Sequence, residues 1–313
     1  MPAYPLLLLV LASAAEQRYP AIVNGSVTTE PAGVVALVIE DGGNFYGPFC
    51  SGTLVHARWV VTAAHCVVAI QRDYQQYDSY VVTGANLFQD VGQYAKVADA
   101  LAHPDYDDVY LTDDVGLLML DGAGLPAVAP VPLGPDPVEQ SWVGQELRFE
   151  GYGITTDGAE DMGIKRYADI PLRQYDLELL YGYDPDDGQN VCQGDSGGAT
   201  LRATAGGDWE LVGVNSFVGL WKGQEGLDPC ADGFVGATRL DTHLDWLTTN
   251  SNGEIEVEAA DDTGDGGGSY WGGKDNGFCA AAPTGARGLS LLALATGAAL
   301  LRRRLSRTAR TPR

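Results

Sequence analysis

Between Ile22 and about Leu240 the chain alternates short apolar runs with clusters of turn residues. Val34 to Ile39, Trp59-Val60-Val61, Val115 to Leu120 and Leu211 to Val214 are apolar runs of strand length. Between such runs lie Asp41-Gly42-Gly43, Asp121-Gly122, Asp157-Gly158 and Gly206-Gly207. Short apolar segments broken by Gly and Asp predict an all-β barrel or sandwich. One stretch, Asp241 to Thr249, predicts a helix instead. Asp241 or Thr242 would cap it, and Leu244 and Leu247 would share its buried face. No internal repeat is present.

The two ends of the chain follow other patterns. Leu6 to Ala15 is a short apolar run ending in small residues, with Ala12-Ser13-Ala14 as a cleavage site, so residues 1–15 read as a secretory signal. Export places the protein where disulfides persist. Residues 251–278, richest in Gly and Asp from Asp261 onward, read as a linker. Cys279, the apolar run Gly288 to Leu301 and Arg302-Arg303-Arg304 follow. A helix of that run would span about 21 Å, short of a hydrocarbon core of roughly 30 Å. This layout over 279–313 resembles the C-terminal sorting signal of myxobacterial surface proteins. The resemblance implies membrane contact through the basic-ended segment, sorting machinery that acts at Cys279, and attachment to the bacterial outer surface.

Composition narrows the function. Of 313 residues 45% are hydrophobic, enough for a large core, so a wholly disordered or fibrous chain is excluded. The net charge of −23, from 19 basic and 42 acidic residues, repels phosphate and argues against nucleic-acid partners. Four of the five cysteines (Cys50, Cys66, Cys192 and Cys230) precede the linker. An even set in an exported chain suggests two disulfides, with three pairings open. No C-x-x-C occurs and the histidine spacing does not match a zinc motif, so no metal and no cofactor are expected. The acidic stretches Asp73 to Asp90 and Asp184 to Gly188 lack calcium-ligand spacing and read as solvated loops.

Two motifs carry chemistry: Thr62-Ala63-Ala64-His65-Cys66 and Cys192-Gln193-Gly194-Asp195-Ser196-Gly197-Gly198. A serine between glycines is open to a substrate. A hydroxyl is a weak nucleophile that needs a base such as histidine, and the base needs a carboxylate to orient it. With Ile22-Val23-Asn24-Gly25, Cys50-Ser51-Gly52, Asp114-Val115-Gly116, Gly151-Tyr152-Gly153, Asn215-Ser216-Phe217 and Thr238-Arg239-Leu240, the stretch 22–250 resembles the chymotrypsin/trypsin family of serine endopeptidases. The resemblance implies two packed six-stranded antiparallel β-barrels with a short C-terminal helix. It also implies disulfides Cys50–Cys66 and Cys192–Cys230, and protein or peptide substrates.

The resemblance assigns roles as well. Ser196 is the nucleophile, His65 the base and Asp114 the orienting carboxylate, chosen over Asp113 because the apolar run starts directly after it. Backbone N–H groups of Gly194 and Ser196 form the oxyanion hole. Ser216 bonds near Asp114. Asp195 pairs with a new α-ammonium at Ile22, so residues 16–21 are a propeptide. The bond to be cut follows Pro20-Ala21, which calls for an activating protease that accepts Ala. Asn190 stands at the base of the pocket for the residue preceding the scissile bond, with Ser216, Phe217 and Val218 along one wall and Val235 facing them. A neutral base and two valines imply elastase-like preference for small aliphatic residues. The alternative is a non-catalytic surface binding module on the same fold.

Overall fold

The computed structural model describes residues 22–156 and 158–257. The signal peptide, the propeptide, most of the linker and the segment with Cys279 lie outside them. The first strands are β1 (Ser26–Val27), β2 (Val34–Asp41), β3 (Asn44–His56), β4 (Trp59–Thr62), β5 (Asp78–Val82), β6 (Tyr94–Ala102) and β7 (Gly116–Leu120). The later ones are β8 (Glu146–Gly151), β9 (Arg166–Tyr175), β10 (Leu179–Gly182), β11 (Ala199–Ala203), β12 (Trp209–Gly219) and β13 (Phe234–Arg239). Strands β2-β3-β4-β7-β6-β5 close into one antiparallel barrel. Strands β8-β9-β10-β13-β12-β11 close into a second, with β1 added beside β9. This is the two-barrel, mainly β architecture expected from the sequence.

Local chemistry explains the elements. Gly42 and Gly43, at φ 61° and 89°, form the two-residue turn that pairs Asp41 with Asn44. Positive φ at both centres matches the right-handed twist of a hairpin. Closure buries the apolar runs, and Val34 to Ile39 is buried along its whole length. Leu54, Val60, Val61, Val81, Leu117 and Leu118 fill the first barrel. Phe149, Ile170, Leu172, Leu180, Val212 and Val235 fill the second. Disulfides join Cys50 to Cys66 and Cys192 to Cys230.

Three local features differ from the expectation. A helix, α1 (Ala64–Arg72), follows β4 and carries His65 on its first turn. A second, α2 (Pro229–Asp232), starts at Asp228, whose carboxylate accepts the Cys230 N–H. The C-terminal helix α3 spans Leu244–Asn250 with His243, not Asp241 or Thr242, at its N-cap. The Asp241 carboxylate is drawn away by Arg239 and the Val138 N–H. The folded unit also continues past residue 250. Ile255 is 1% exposed within the first core, and Trp59 Nε1 donates to Glu254 at 2.7 Å. A boundary read from Gly and Asp content missed these apolar anchors.

Candidate active site

The site lies where the barrels meet, and each contributes. Barrel one supplies α1, just past β4, and the Asp114 turn ahead of β7. His65 Nδ1 lies 2.8 Å from Asp114 Oδ2, and the His65 backbone N–H donates to Asp114 Oδ1 at 2.9 Å. Barrel two closes over the carboxylate. Ser216 Oγ donates to Asp114 Oδ2 at 2.5 Å, and Thr238 Oγ1 donates to the Asp114 carbonyl at 3.1 Å. Asp114 is wholly buried while the His65 side chain is 30% exposed, so only the imidazole is open to a ligand.

Electrostatics follow from this geometry. Burial pushes the Asp114 pKa up, but the His65 charge, its hydrogen bonds and that of Ser216 outweigh it, and the carboxyl ends below its ordinary value. Burial pulls His65 down, and the Asp114 charge and hydrogen bond override it, so the imidazole ends above its ordinary value. Asp113 turns the other way, to His243 Nε2 at 3.1 Å. Its φ of 52° gives the chain the kink that sends neighbouring carboxylates in different directions.

Ser196 stands on a turn pinned by Ser51 of β3. The Ser51 N–H donates to the Ser196 carbonyl at 2.8 Å, and Ser51 Oγ donates to the Gly194 carbonyl at 2.9 Å. Gly197 is required at the next position: its φ is 79°, and a Cβ there would sit 2.1 Å from Thr62 Oγ1. Neither the Gly194 nor the Ser196 N–H has a hydrogen-bond partner among the described residues. Both groups are therefore free donors. Ser196 Oγ forms no bond to His65 within 3.5 Å; nucleophile–base bonds of this kind commonly tighten only with substrate in place.

Asp195 is fully buried beside the serine. Its carboxylate accepts from the Gly153 N–H at 2.8 Å and the Cys192 N–H at 2.9 Å. No cationic side chain among the described residues lies within 4.0 Å of it. Burial pushes its pKa up to about 7 despite those two donors. The Ile22 side chain is buried in the second core, and Val23 bridges to Asn190.

The Asn190 amide is only 2% exposed; Nδ2 donates to the Pro229 carbonyl at 3.0 Å and Oδ1 accepts from the Val191 N–H. Val218 and Val235 are directly paired across β12 and β13. Val235 is wholly buried and Val218 packs against the same cluster. Phe217 lies over Gly236, where a Cβ would meet its ring at 2.3 Å. Phe217 also lines a cavity of about 370 Å³ with Tyr110, Thr112, Leu177, Leu179 and Tyr181. These latter residues, and Ser51 as a strut, escaped the sequence reading. The cavity residues come from separate loops with no shared motif, whereas Ser51 sits inside a motif already noted.

Two β-barrels, with the His65–Asp114 pair on elements of the first and a Gly-Asp-Ser-Gly turn in the second, have the make-up of a serine hydrolase. The Trypsin family model matches residues 22–247, and the chain belongs to that family. It is 31% identical over 195 residues to Trypsin of Saccharopolyspora erythraea, covering 58% of this chain and 79% of that one. It is 26% identical over 223 residues to Trypsin-1 of Astacus astacus, covering 65% and 88%. Brachyurin of Leptuca pugilator is 25% identical over 209 residues, with coverage of 65% and 88%. The protein is a serine endopeptidase that acts on peptides or proteins.

Among the described residues no helix is long and apolar enough to cross a membrane.

Proposed function

We propose that the protein is an exported, surface-anchored endopeptidase that cleaves after small aliphatic residues, using Ser196, His65 and Asp114. The observation that carries the catalytic assignment is the pairing of His65 Nδ1 with the buried Asp114 carboxylate. That pairing holds Nδ1 protonated and leaves Nε2 as the base. Ser196 Oγ attacks the peptide carbonyl carbon as its proton passes to His65 Nε2. The oxyanion forms against the free N–H groups of Gly194 and Ser196. The C–N bond then breaks, His65 returns the proton to the leaving amine, and water releases the acyl group by the same steps. One oxyanion donor is typically worth about 3 kcal/mol, because it meets charge that exists only in the transition state.

Activation rests on Asp195. A buried carboxyl held up near 7, with two N–H donors and no cationic side chain within 4.0 Å among the described residues, suits a positive charge brought against it. Cleavage before Ile22 by a protease that accepts Ala supplies an α-ammonium to it. The signal peptide 1–15 exports the chain, and 279–313 holds it at the cell surface after processing at Cys279 by sorting machinery.

Specificity rests on Asn190, Val218 and Val235. With its amide spent on backbone partners and no charge to offer, Asn190 gives Arg or Lys nothing to pair with. The paired valines remove volume from the pocket, and exclusion by a narrow apolar pocket is steric. The test uses enzyme activated at Ile22 and a fluorophosphonate, with the adduct located by mass spectrometry and Ser196→Ala as control. Labelling confined to Ser196 is expected; labelling elsewhere overturns the nucleophile. Peptides ending in Ala or Val should be cut at least tenfold faster than those ending in Arg or Phe. The double variant Val218→Gly/Val235→Gly should reverse the order for Phe, and unchanged preference would refute the pocket assignment.

A further inference from the structure

A second cluster of chemistry-bearing side chains lies behind Asp114. His103 follows β6, Asp113 sits in the turn before β7, and His243 caps α3. One ligand atom from each lies within 4.8 Å of the others. The three are ten and 130 residues apart in the chain, so no spacing motif announces them.

Proton placement makes the cluster informative. His243 Nδ1 lies 2.7 Å from the Arg239 carbonyl. A carbonyl only accepts, so Nδ1 carries a proton, and a ring holding that one proton presents a lone pair at Nε2. That lone pair faces Asp113 Oδ1 at 3.1 Å. Two such atoms at that distance are joined by a proton on Nε2 or by a metal cation. His103 Nδ1 lies 3.8 Å from the same oxygen. Its lone pair accepts a long 3.3 Å bond from the Asp105 N–H, a bond that metal ligation would displace. The Arg239 carbonyl is thus the outer partner that fixes the tautomer and aim of a ligating imidazole. His243 is 4% exposed and His103 12%, but Asp113 is 26% exposed and leaves a route from solvent. The Trp246 ring packs against His103 at 5.0 Å and dries the inner side.

We propose that His103 Nδ1, Asp113 Oδ1 and His243 Nε2 form a three-ligand site for a borderline-soft divalent cation of the zinc class, and that its occupancy lowers peptidase activity through Asp114. Two imidazoles and one carboxylate suit zinc, and disfavour calcium, which prefers an all-oxygen shell. With metal–ligand bonds of about 2.0–2.1 Å, tetrahedral ligands stand roughly 3.3 Å apart. The Asp113–His243 pair, at 3.1 Å, is already near that separation, and His103 Nδ1, 3.8 Å from Asp113 Oδ1, must close in for ligation; water completes the shell. The other cysteine–histidine group, Cys50, His65 and Cys66, offers no thiolates because its sulfurs are bonded to each other. The regulatory half rests on the proposed role of Asp114: Asp113 shares a peptide bond with it, so a metal that ties Asp113 to β6 and α3 shifts the carboxylate that orients His65.

The binding test does not need the enzyme to be active. Full-length, untagged Ser196→Ala protein, stripped with chelator, is titrated with zinc chloride by calorimetry. One zinc per chain is expected. Affinity should fall at least tenfold in His103→Asn and His243→Gln, and stay unchanged in His65→Gln. His103→Asn guards against misfolding of the more buried His243 variant. Absence of zinc binding overturns the site, as does binding lost in His65→Gln but kept in His103→Asn. In activated enzyme, zinc should inhibit peptide hydrolysis over the concentration range in which it binds, and His103→Asn should resist. Zinc bound at this site with activity unchanged overturns the regulatory half.

Discussion

Asp195→Asn in the uncut chain tests how the buried carboxylate governs activation. In the folded protein the Asp195 carboxyl is pushed from its ordinary 3.8 up to about 7 by burial. A folded-state value above the unfolded one means that the native state binds the proton more tightly. The stability it contributes is fully present below about pH 4 and is lost as pH rises through 7. At about 1.4 kcal/mol per unit, the loss between pH 4 and 8 amounts to about 4 kcal/mol. Asparagine cannot ionise, so this loss should vanish. Its amide can satisfy only one of the two N–H donors from Gly153 and Cys192, a pH-independent cost of about 1–3 kcal/mol. The assay is urea unfolding of full-length Ser196→Ala protein, with Asp or Asn at 195, at pH 4, 6 and 8. Asp114, Glu150 and every other acid are common to both chains and cancel in the difference. The Asp chain should lose about 4 kcal/mol more than the Asn chain across the range. Parallel pH profiles would refute the reasoning, because they would mean that Asp195 is already charge-compensated before cleavage. After cleavage before Ile22 the same substitution should act oppositely and abolish activity, since the ammonium then has no partner.

Two further outcomes follow from the same structure. Asp114→Asn keeps the shape of the site but frees the His65 tautomer, so kcat should fall by about 10⁴-fold. The acid limb of its kcat/KM profile should also move to lower pH, because the Asp114 charge that raises the His65 pKa is gone. An unmoved limb would separate His65 from that carboxylate. Ending the chain after residue 250 removes Ile255 from the first core and Glu254 from Trp59. Burial of one Ile is worth about 1.5–3 kcal/mol. A chain ending at 257 should therefore melt several degrees above one ending at 250, and equal Tm values would place Ile255 outside the folded unit.

Much of the architecture was legible because its determinants are local. Apolar runs such as Val34 to Ile39 become strands because a closed barrel buries them on both faces. Gly42-Gly43 marks a hairpin because few other residues tolerate positive φ at both positions. The segments around His65 and Ser196 announced nucleophilic chemistry because glycine is needed where backbone must approach backbone, as Gly197 does against the Ser51 carbonyl. Where a neighbour far along the chain competes, local reading fails. Asp241 looked like a helix cap, but Arg239 and the Val138 N–H take its carboxylate, and His243 occupies the N-cap position of α3 without a side-chain capping bond. Ile255 stands amid polar residues and reads as linker until the first barrel supplies a place to bury it.

The sequence by itself determined which segments are strands, where turns must fall, and which residue types are present for catalysis. Those properties depend on periodicity and on the φ preferences of single residues. Only the tertiary structure decided that Asp113 turns to His243, that Asp195 is buried with no cationic side chain within 4.0 Å among the described residues, and that His103, Asp113 and His243 converge. Asp113 and Asp114 have the same chemistry one peptide apart. Their fates diverge because barrel closure brings Ser216 and Thr238 to one and α3 to the other. The contacts that part Asp113 from Asp114 join residues more than 100 positions apart, and no local pattern along the chain encodes them.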